Sequence, residues 1–488
     1  ASGAFLKVAV DQGFEGESAK KLMKDYWRKN LTTWKDAPLP SIAGADVDLT
    51  LEPRDRAFRT SGSYLLVNRL DHSLRQIPLT IGLDWKDQEW MLNGEGVKPE
   101  DRSHLLVFTP PQPLAPGDSL RIGFKFHGVF PKGTTKNGGG LEEFILPSGV
   151  VLTSFRPTFV PLLGFQEGIG IDEKNQYDAK EYADDFYVGV TKSGFGVDRP
   201  YPTRIRITGP AEYTLNSVGT CVSDSVAGGR RTVVWESDQP VGFFNVVAGR
   251  WETWRGDGTA IFYNRKHKVN VEEMGEALDA SRQYYSEWFY PFPWRELKLS
   301  EFPALANYAQ GFPTNITFSE GIGFLTKSEP KPNLAFMVTA HEAAHQWWGN
   351  ILSPGEGPGG NILSEGMAHF STMLLIGQVK GEYQRREFAK RIESRYGDNR
   401  QADSERPLVK TDGSRAGDTT VMYDKGGWTF WMLLNHMGRD DALAGCKEFI
   451  ETYRDNPDHP VLQDFVAVHL GDEDPRRAGN RPHVEAEQ

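Results

Sequence analysis

Several common kinds of scaffold are missing from this chain. Its 488 residues hold only two cysteines, Cys221 and Cys446, far apart in sequence. That excludes a disulfide framework, and each thiol is expected to be a small buried hydrophobe. No apolar run approaches the roughly eighteen residues that would cross a membrane. A basic surplus is missing too: the formal net charge is -11, which argues against nucleic acid as a partner. No internal repeat is visible. The chain begins Ala1-Ser2-Gly3, without methionine and without a charged-then-apolar leader, so a processed chain or an excised piece of a larger protein is expected. What remains is 39% hydrophobic and 25% charged. That composition predicts a globular, soluble chain, and its length predicts about two to four domains.

The texture changes along the chain. Lys20 to Trp27 reads as a helical lead-in within residues 1–44. From 45 to 256, short alternating runs are separated by turn signals. Examples are Tyr64-Leu65-Leu66-Val67, Leu105-Leu106-Val107-Phe108 and Arg121 to Phe126, with Gly138-Gly139-Gly140 and Gly228-Gly229 as turns. Such spacing predicts an antiparallel β domain. From 257 to 470 a helical period predominates, with helices expected over Val269–Tyr290, Asn333–Asn350, Asn361–Gly377 and Tyr423–Gly438. The charged tail, 471–488, has little to bury and is expected to fray.

Within the helical half stands His341-Glu342-Ala343-Ala344-His345, followed by Glu365. Residues four apart share a helix face, so His341 and His345 can offer two imidazoles to one point. A carboxylate from elsewhere and an open position for water would complete a zinc site, with Glu342 as general base. The apolar flanks Ala335 to Ala340 and Trp347-Trp348 predict a buried helix. Buried histidines and a glutamate need partners, and a metal ion supplies one.

These residues resemble the aminopeptidase N family of gluzincin metallopeptidases, which also contains leukotriene hydrolase. Four stretches carry the likeness: His341 to Asn350; Leu363-Ser364-Glu365-Gly366-Met367-Ala368-His369-Phe370; Tyr423-Asp424-Lys425-Gly426-Gly427; and, more loosely, Tyr290-Pro291-Phe292-Pro293. The resemblance implies an α+β chain: an N-terminal antiparallel β domain followed by a thermolysin-like, mainly helical catalytic domain. It implies one Zn2+ held by His341, His345 and Glu365. Glu342 would act as base, and Tyr423 would donate to the oxyanion. Only 65 residues follow Tyr423, too few for the family's large C-terminal helical domain.

The chain also departs from the family. Between His345 and Glu365 lie nineteen residues rather than the family's usual eighteen. The extra one falls in the Gly/Pro-rich loop Ser353 to Gly360. Glu365 is therefore kept as ligand, with Glu356 as the weaker alternative. The family's amine-gripping acids are missing: Ala309, Gln310 and Gly311 occupy the matching loop, no acid occurs from Phe302 to Ser319, and Arg156 stands where the β domain usually supplies a carboxylate. These four positions are the expected substrate-binding residues, and they predict altered recognition of a peptide's N-terminus. His369, four after Glu365, is expected to orient Glu365 or a water.

The local texture also looks like the peptidase-like portions fused to permease segments of some bacterial ABC transporters. That likeness implies a soluble domain tethered to a membrane permease in a bacterial cell. Peptide-bond hydrolysis on a peptide or protein substrate is the leading expectation. A non-catalytic zinc domain serving a transporter as a binding or regulatory module is the alternative. Epoxide hydrolysis, as in the leukotriene branch, would use the same metal.

Overall fold

The computed structural model describes residues 3, 17–130, 142–171, 175, 180–183, 186, 189–190, 192–326 and 333–470. Gly138-Gly139-Gly140 and the tail 471–488 lie outside the described residues. The chain forms two compact units, each assembled from three stretches: Ala1–Asn175, Arg199–Gly275 and Trp294–Lys327 in a β-rich unit, and Gln176–Asp198, Glu276–Pro293 and Ser328–Gln488 in a helical unit.

An eight-stranded sheet dominates the β-rich unit. Its strands are β1 (Ser41–Glu52), β2 (Ala57–Val67), β3 (Lys86–Leu92), β4 (Glu95–Val97), β5 (Ser119–Val129), β6 (Thr203–Pro210), β7 (Thr220–Ala227) and β8 (Arg230–Glu236). They lie in the order β7-β8-β6-β1-β2-β5-β3-β4. In β1 the period of two is clean. Ala45, Val47, Leu49 and Leu51 are buried, while Asp46 and Asp48 point outward and accept from Arg204 and Arg206 of β6 at 3.2 and 3.3 Å. The β1–β6 pair is parallel, so the expected all-antiparallel domain is corrected at this seam. The cause is the long stretch of chain between the two strands, because only a distant strand can pair in parallel. Gly228 and Gly229, at φ 57° and 74°, make the β7–β8 turn where side chains would be strained.

Two four-stranded sheets flank this one in sequence. The lead-in becomes helix α1 (Glu17–Trp34). Tyr26 is 1% exposed and its hydroxyl lies 2.8 Å from Thr80 Oγ1. It packs with Trp34, Leu105 and Val107, so the lead-in is part of this unit's core. Cys221, on β7, is exposed, which corrects its expected burial; Cys446 is buried as expected.

Four segments of the expected helical half are also strand. A five-stranded sheet contains β9 (Trp251–Arg255), β10 (Thr259–Asn264), β11 (Leu297–Phe302), β12 (Ala309–Gln310) and β13 (Asn315–Ser319). Its order is β9-β10-β11-β13-β12, and the β10–β11 and β11–β13 pairs are parallel. Every residue of β11 and β13 is buried. Strands covered on both faces show no alternation, so a periodic reading passes over them.

The helices are α2 (Val271–Trp288), α3 (Leu334–Ala344), α4 (Glu365–Lys380), α5 (Glu382–Asn399), α6 (Gly426–Met437), α7 (Arg439–Tyr453) and α8 (Leu462–Leu470). Asn333 caps α3, its side chain accepting from the amides of Ala335 and Phe336. The helix ends at Ala344 rather than running to Asn350. Gly349 adopts φ 147° and its amide donates back to Leu352 O at 2.9 Å, which reverses the chain.

Candidate metal centre

Helix α3 brings His341, Glu342 and His345 to one place, and α4 opens on Glu365. The α3 face is fixed from outside by three hydrogen bonds. Tyr285 Oη donates to Ala340 O at 3.2 Å, Trp347 Nε1 to Tyr290 O at 2.6 Å, and Trp348 Nε1 reaches Ser371 Oγ at 3.1 Å. His341 and Glu342 are buried, at 8% and 7% exposure.

The three predicted ligands converge. Glu365 Oε2 lies 3.2 Å from His341 Nε2 and 3.2 Å from His345 Nε2, and the three ligand atoms all lie within 4.8 Å of one another. Ligand atoms about 2.1 Å from a tetrahedral ion stand about 3.4 Å apart, so the donor set fits one zinc ion. The second nitrogen of His345 is committed as ligation requires. Nδ1 lies 3.2 Å from Trp348 O and 3.3 Å from Ser364 Oγ. The Ser364 hydroxyl itself donates to Trp348 O at 3.0 Å, so both neighbours accept and Nδ1 holds the proton. In the neutral ring Nε2 then presents its lone pair.

Electrostatics follow burial and proximity. Burial pushes the His341 pKa down to about 3. Burial acts the same way on His345, but the Glu365 and Glu342 carboxylates outweigh it and lift that pKa to about 9. Burial opposes ionisation of Glu365, yet the two imidazoles hold its pKa well below the usual carboxylate value.

Tyr423 sits in a single π-helical turn, Val421–Lys425, just before α6, a distortion often found at functional sites. Its ring stacks on His341 with centroids 5.7 Å apart and planes at 19°. Burial first, and Glu365 next, push its pKa well up, so the phenol keeps its proton. Two contacts bring this turn close to α4. A Cβ on Gly366 would lie 3.2 Å from Gly426 Cα, and one on Gly427 would lie 2.6 Å from His369 Cβ. The glycines of the two sequence motifs therefore allow α4 and α6 to touch through their backbones.

His369 lies behind the ligands. Its Nδ1 is 2.9 Å from His341 Nδ1. Its Nε2 is 2.7 Å from Arg395 Nη2 and 3.6 Å from Asp424 Oδ1. Arg395 Nε donates to both Asp424 oxygens, at 2.9 and 2.8 Å. Asp424 and Arg395 were not legible as site residues. Asp424 had one signal, its place beside Tyr423; Arg395 had none.

Glu356 takes no part in the ligand cluster: its amide donates to Lys192 O at 2.8 Å. Arg156, Ala309, Gln310 and Gly311 belong to the β-rich unit, whereas the ligand cluster belongs to the helical unit. Ala309 and Gln310 form β12 and pair with Phe318 and Thr317. Arg156 is ion-paired with Glu142. Beside it is a buried acid, Glu143, which accepts from the Thr153 and Thr158 hydroxyls. Burial raises the Glu143 pKa to about 7.

Residues 270–466 match the peptidase family M1 domain. That match covers about two fifths of the chain. Similar curated proteins are aminopeptidase M1-B of Oryza sativa subsp. japonica, 23% identical over 267 residues, and aminopeptidase M1-D of the same plant, 26% identical over 266. Each match covers 50% of this chain and 30% of the relative, so the chain spans under a third of their length. Among solved structures, it is similar to an M1 zinc metallopeptidase variant from Deinococcus radiodurans bound to a Tyr-Ser-Ala substrate, with TM-score 0.65, 18% identity, and 90% and 92% of the two chains covered. The corresponding structure titled without a mutation matches with TM-score 0.65 over 89% and 92% of the chains. The fold is thus that of M1 aminopeptidases, and the M1 match implies one zinc ion.

Proposed function

We propose that the chain hydrolyses peptide bonds with a zinc-dependent site formed by His341, His345 and Glu365. The supporting observation is the convergence of their two Nε2 atoms and one carboxylate oxygen at 3.2 Å, on the helix turn that also carries Glu342. When bound, zinc would acidify the attacking water and polarise the scissile carbonyl. Glu342 would take the proton from that water and return it to the leaving amine. Tyr423, protonated and stacked on His341, would donate to the oxyanion as it develops, stabilising the transition state more than the ground state. His369 would fix the His341 ring.

Recognition of the peptide's N-terminus is altered in this reading. The motivation is the acid-free run from Phe302 to Ser319 and Arg156 in place of a carboxylate. The Glu142–Arg156 ion pair tempers the second point, because it offsets the added positive charge. A blocked or internal segment would then be accepted as well as, or better than, a free ammonium.

Glu342→Gln tests the chemistry. Zinc content should stay at one per chain while kcat falls by about a thousandfold, the scale of a lost general base. Retained turnover in that variant would rule out the assigned base. Free-amine and N-acetylated peptides assayed in parallel test recognition, and a strong preference for the free amine would defeat the altered-recognition part alone.

A further inference from the structure

How His341 is prepared for metal rests on its reading as a zinc ligand. To offer its Nε2 lone pair, neutral His341 must hold its proton on Nδ1. That Nδ1 faces His369 Nδ1 at 2.9 Å, so one ring donates and the other accepts. If His341 donates, His369 accepts on Nδ1 and carries its own proton on Nε2. The Nε2 proton then needs an acceptor.

The structure puts the wrong partner nearest. Arg395 Nη2, at 2.7 Å, is a donor only. Asp424 Oδ1, at 3.6 Å, is the available acceptor but lies beyond hydrogen-bond distance. The bond from Arg395 therefore favours the opposite chain of donors. Arg395 donates to His369 Nε2, His369 Nδ1–H donates to His341 Nδ1, and His341 holds its proton on Nε2. Glu365 Oε2, 3.2 Å away, accepts it. In that chain every polar atom has a complementary partner, and His341 has no lone pair to give a metal.

We propose that Arg395 and Asp424 compete for His369 and thereby set whether His341 can ligate zinc: Arg395 holds the non-ligating tautomer and Asp424 the ligating one. Passing from one to the other moves no net charge within the pair of rings, which carry two protons between them in both arrangements. It does require the Arg395–Asp424 ion pair to loosen, because one nitrogen, Nη2, touches both His369 and Asp424. Arg395 holds Asp424 through Nε at 2.9 and 2.8 Å and through Nη2 as well, and the planar guanidinium moves as one piece, so Nη2 leaves His369 only as it also releases Asp424 Oδ1, into the solvent that its 47% exposed side chain already meets. His345 has no such choice, because both neighbours of its Nδ1 accept. The two histidines of one motif thus differ: Nδ1 of His345 is fixed as a donor, and that of His341 is set by a switch. Both Arg395 and Asp424 act as positioning residues.

Three measurements test this. In crystals grown with zinc, Arg395 Nη2 should lie more than about 3.5 Å from His369 Nε2, with Asp424 Oδ1 closing to about 2.8 Å. Zinc on His341 with Arg395 still bonded to His369 overturns the proposal. Arg395→Lys keeps a cation for Asp424 but loses the fork that reaches two groups at once. Competition against a chelator should show it binding zinc about tenfold more tightly than the parent, and affinity equal to or below the parent's overturns the proposal. Asp424→Asn should bind zinc roughly 10- to 100-fold more weakly, the usual cost of losing an outer-shell partner, and unchanged affinity likewise counts against it. These readouts need no peptide turnover. A parent protein that bound no zinc would instead defeat the reading of the ligand triad.

Discussion

Among the described residues, two clusters have the composition of a metal site, and they are built on opposite principles. His341, His345 and Glu365 form one; His267, Glu301 and Glu320 form the other. In the second cluster each acid is already engaged with backbone. Glu301 accepts from the Asn264 amide and pairs with His267 Nδ1. Glu320 accepts from the Ala304 amide at 3.0 Å and lies 3.7 Å from the same His267 nitrogen. One imidazole nitrogen faces two carboxylates, and that group can neutralise itself without an ion. In the first cluster two imidazoles face one carboxylate, and His345 is anchored through its far nitrogen so that the near one points inward. Residue types suggest a metal in both places, but the convergence of two imidazoles and one carboxylate oxygen supports it in one. The same chemistry thus serves as a latch in the β-rich unit and as a binding site in the helical unit.

The comparison can be broken most decisively at the ligands. Glu365→Ala should cost more than the roughly hundredfold in zinc affinity that outer-shell losses reach, whereas Glu301→Gln should leave the stoichiometry at one ion; zinc titration by calorimetry distinguishes them. A second bound ion lost in Glu301→Gln would erase the distinction. A smaller effect concerns the support of the first cluster. Gly427→Ala would press a methyl against His369 Cβ, 2.6 Å away, and overpacking of this kind costs about 1–3 kcal/mol. Its melting temperature should fall, with zinc affinity following.

The latch predicts a pH effect of similar or smaller size. Burial raises the Glu301 pKa to about 7, above its ordinary value. The native state then binds more protons than the unfolded chain between about pH 4.5 and 7, so this group's contribution is full below that window and is lost as pH rises through it. Glu301→Gln should flatten the unfolding free energy over those pH values by on the order of 2 kcal/mol, as read by urea melts. The smallest expected effect is at Cys221, exposed on β7. Cys221→Ser should change stability by no more than about 0.5 kcal/mol and leave zinc binding alone.

Legibility in the sequence followed the range of each signal. His341, Glu342 and His345 were readable because four residues on a helix define a face, and Glu365 and Tyr423 because they sit in motifs with recognisable glycines. Those glycines turn out to have a packing reason, the backbone contact between α4 and α6. The strands β11 and β13 were missed because burial on both faces removes alternation. The parallel seam between β1 and β6 was missed because nothing local marks a partner more than 150 positions away. Arg395 could not be found, since a long arginine on an exposed helix announces no partner until Asp424 is placed beneath it. Glu142 and Glu143 escaped because the search for acids followed one motif rather than space. A linear reading also lays domains out as consecutive blocks, whereas the compact units interleave.

That interleaving has a consequence during synthesis. The β-rich unit lacks its last stretch until Lys327 has been added, and the helical unit's earliest stretch, Gln176–Asp198, is made long before α8. At roughly 5–20 residues per second, that early stretch waits on the order of tens of seconds for its partners. The β-rich unit can close first, just as α3 follows it off the ribosome, so the histidines would meet their carboxylate only after half of the molecule is already folded. A nascent chain halted shortly after Lys327 should therefore contain a protease-resistant β-rich unit and no zinc.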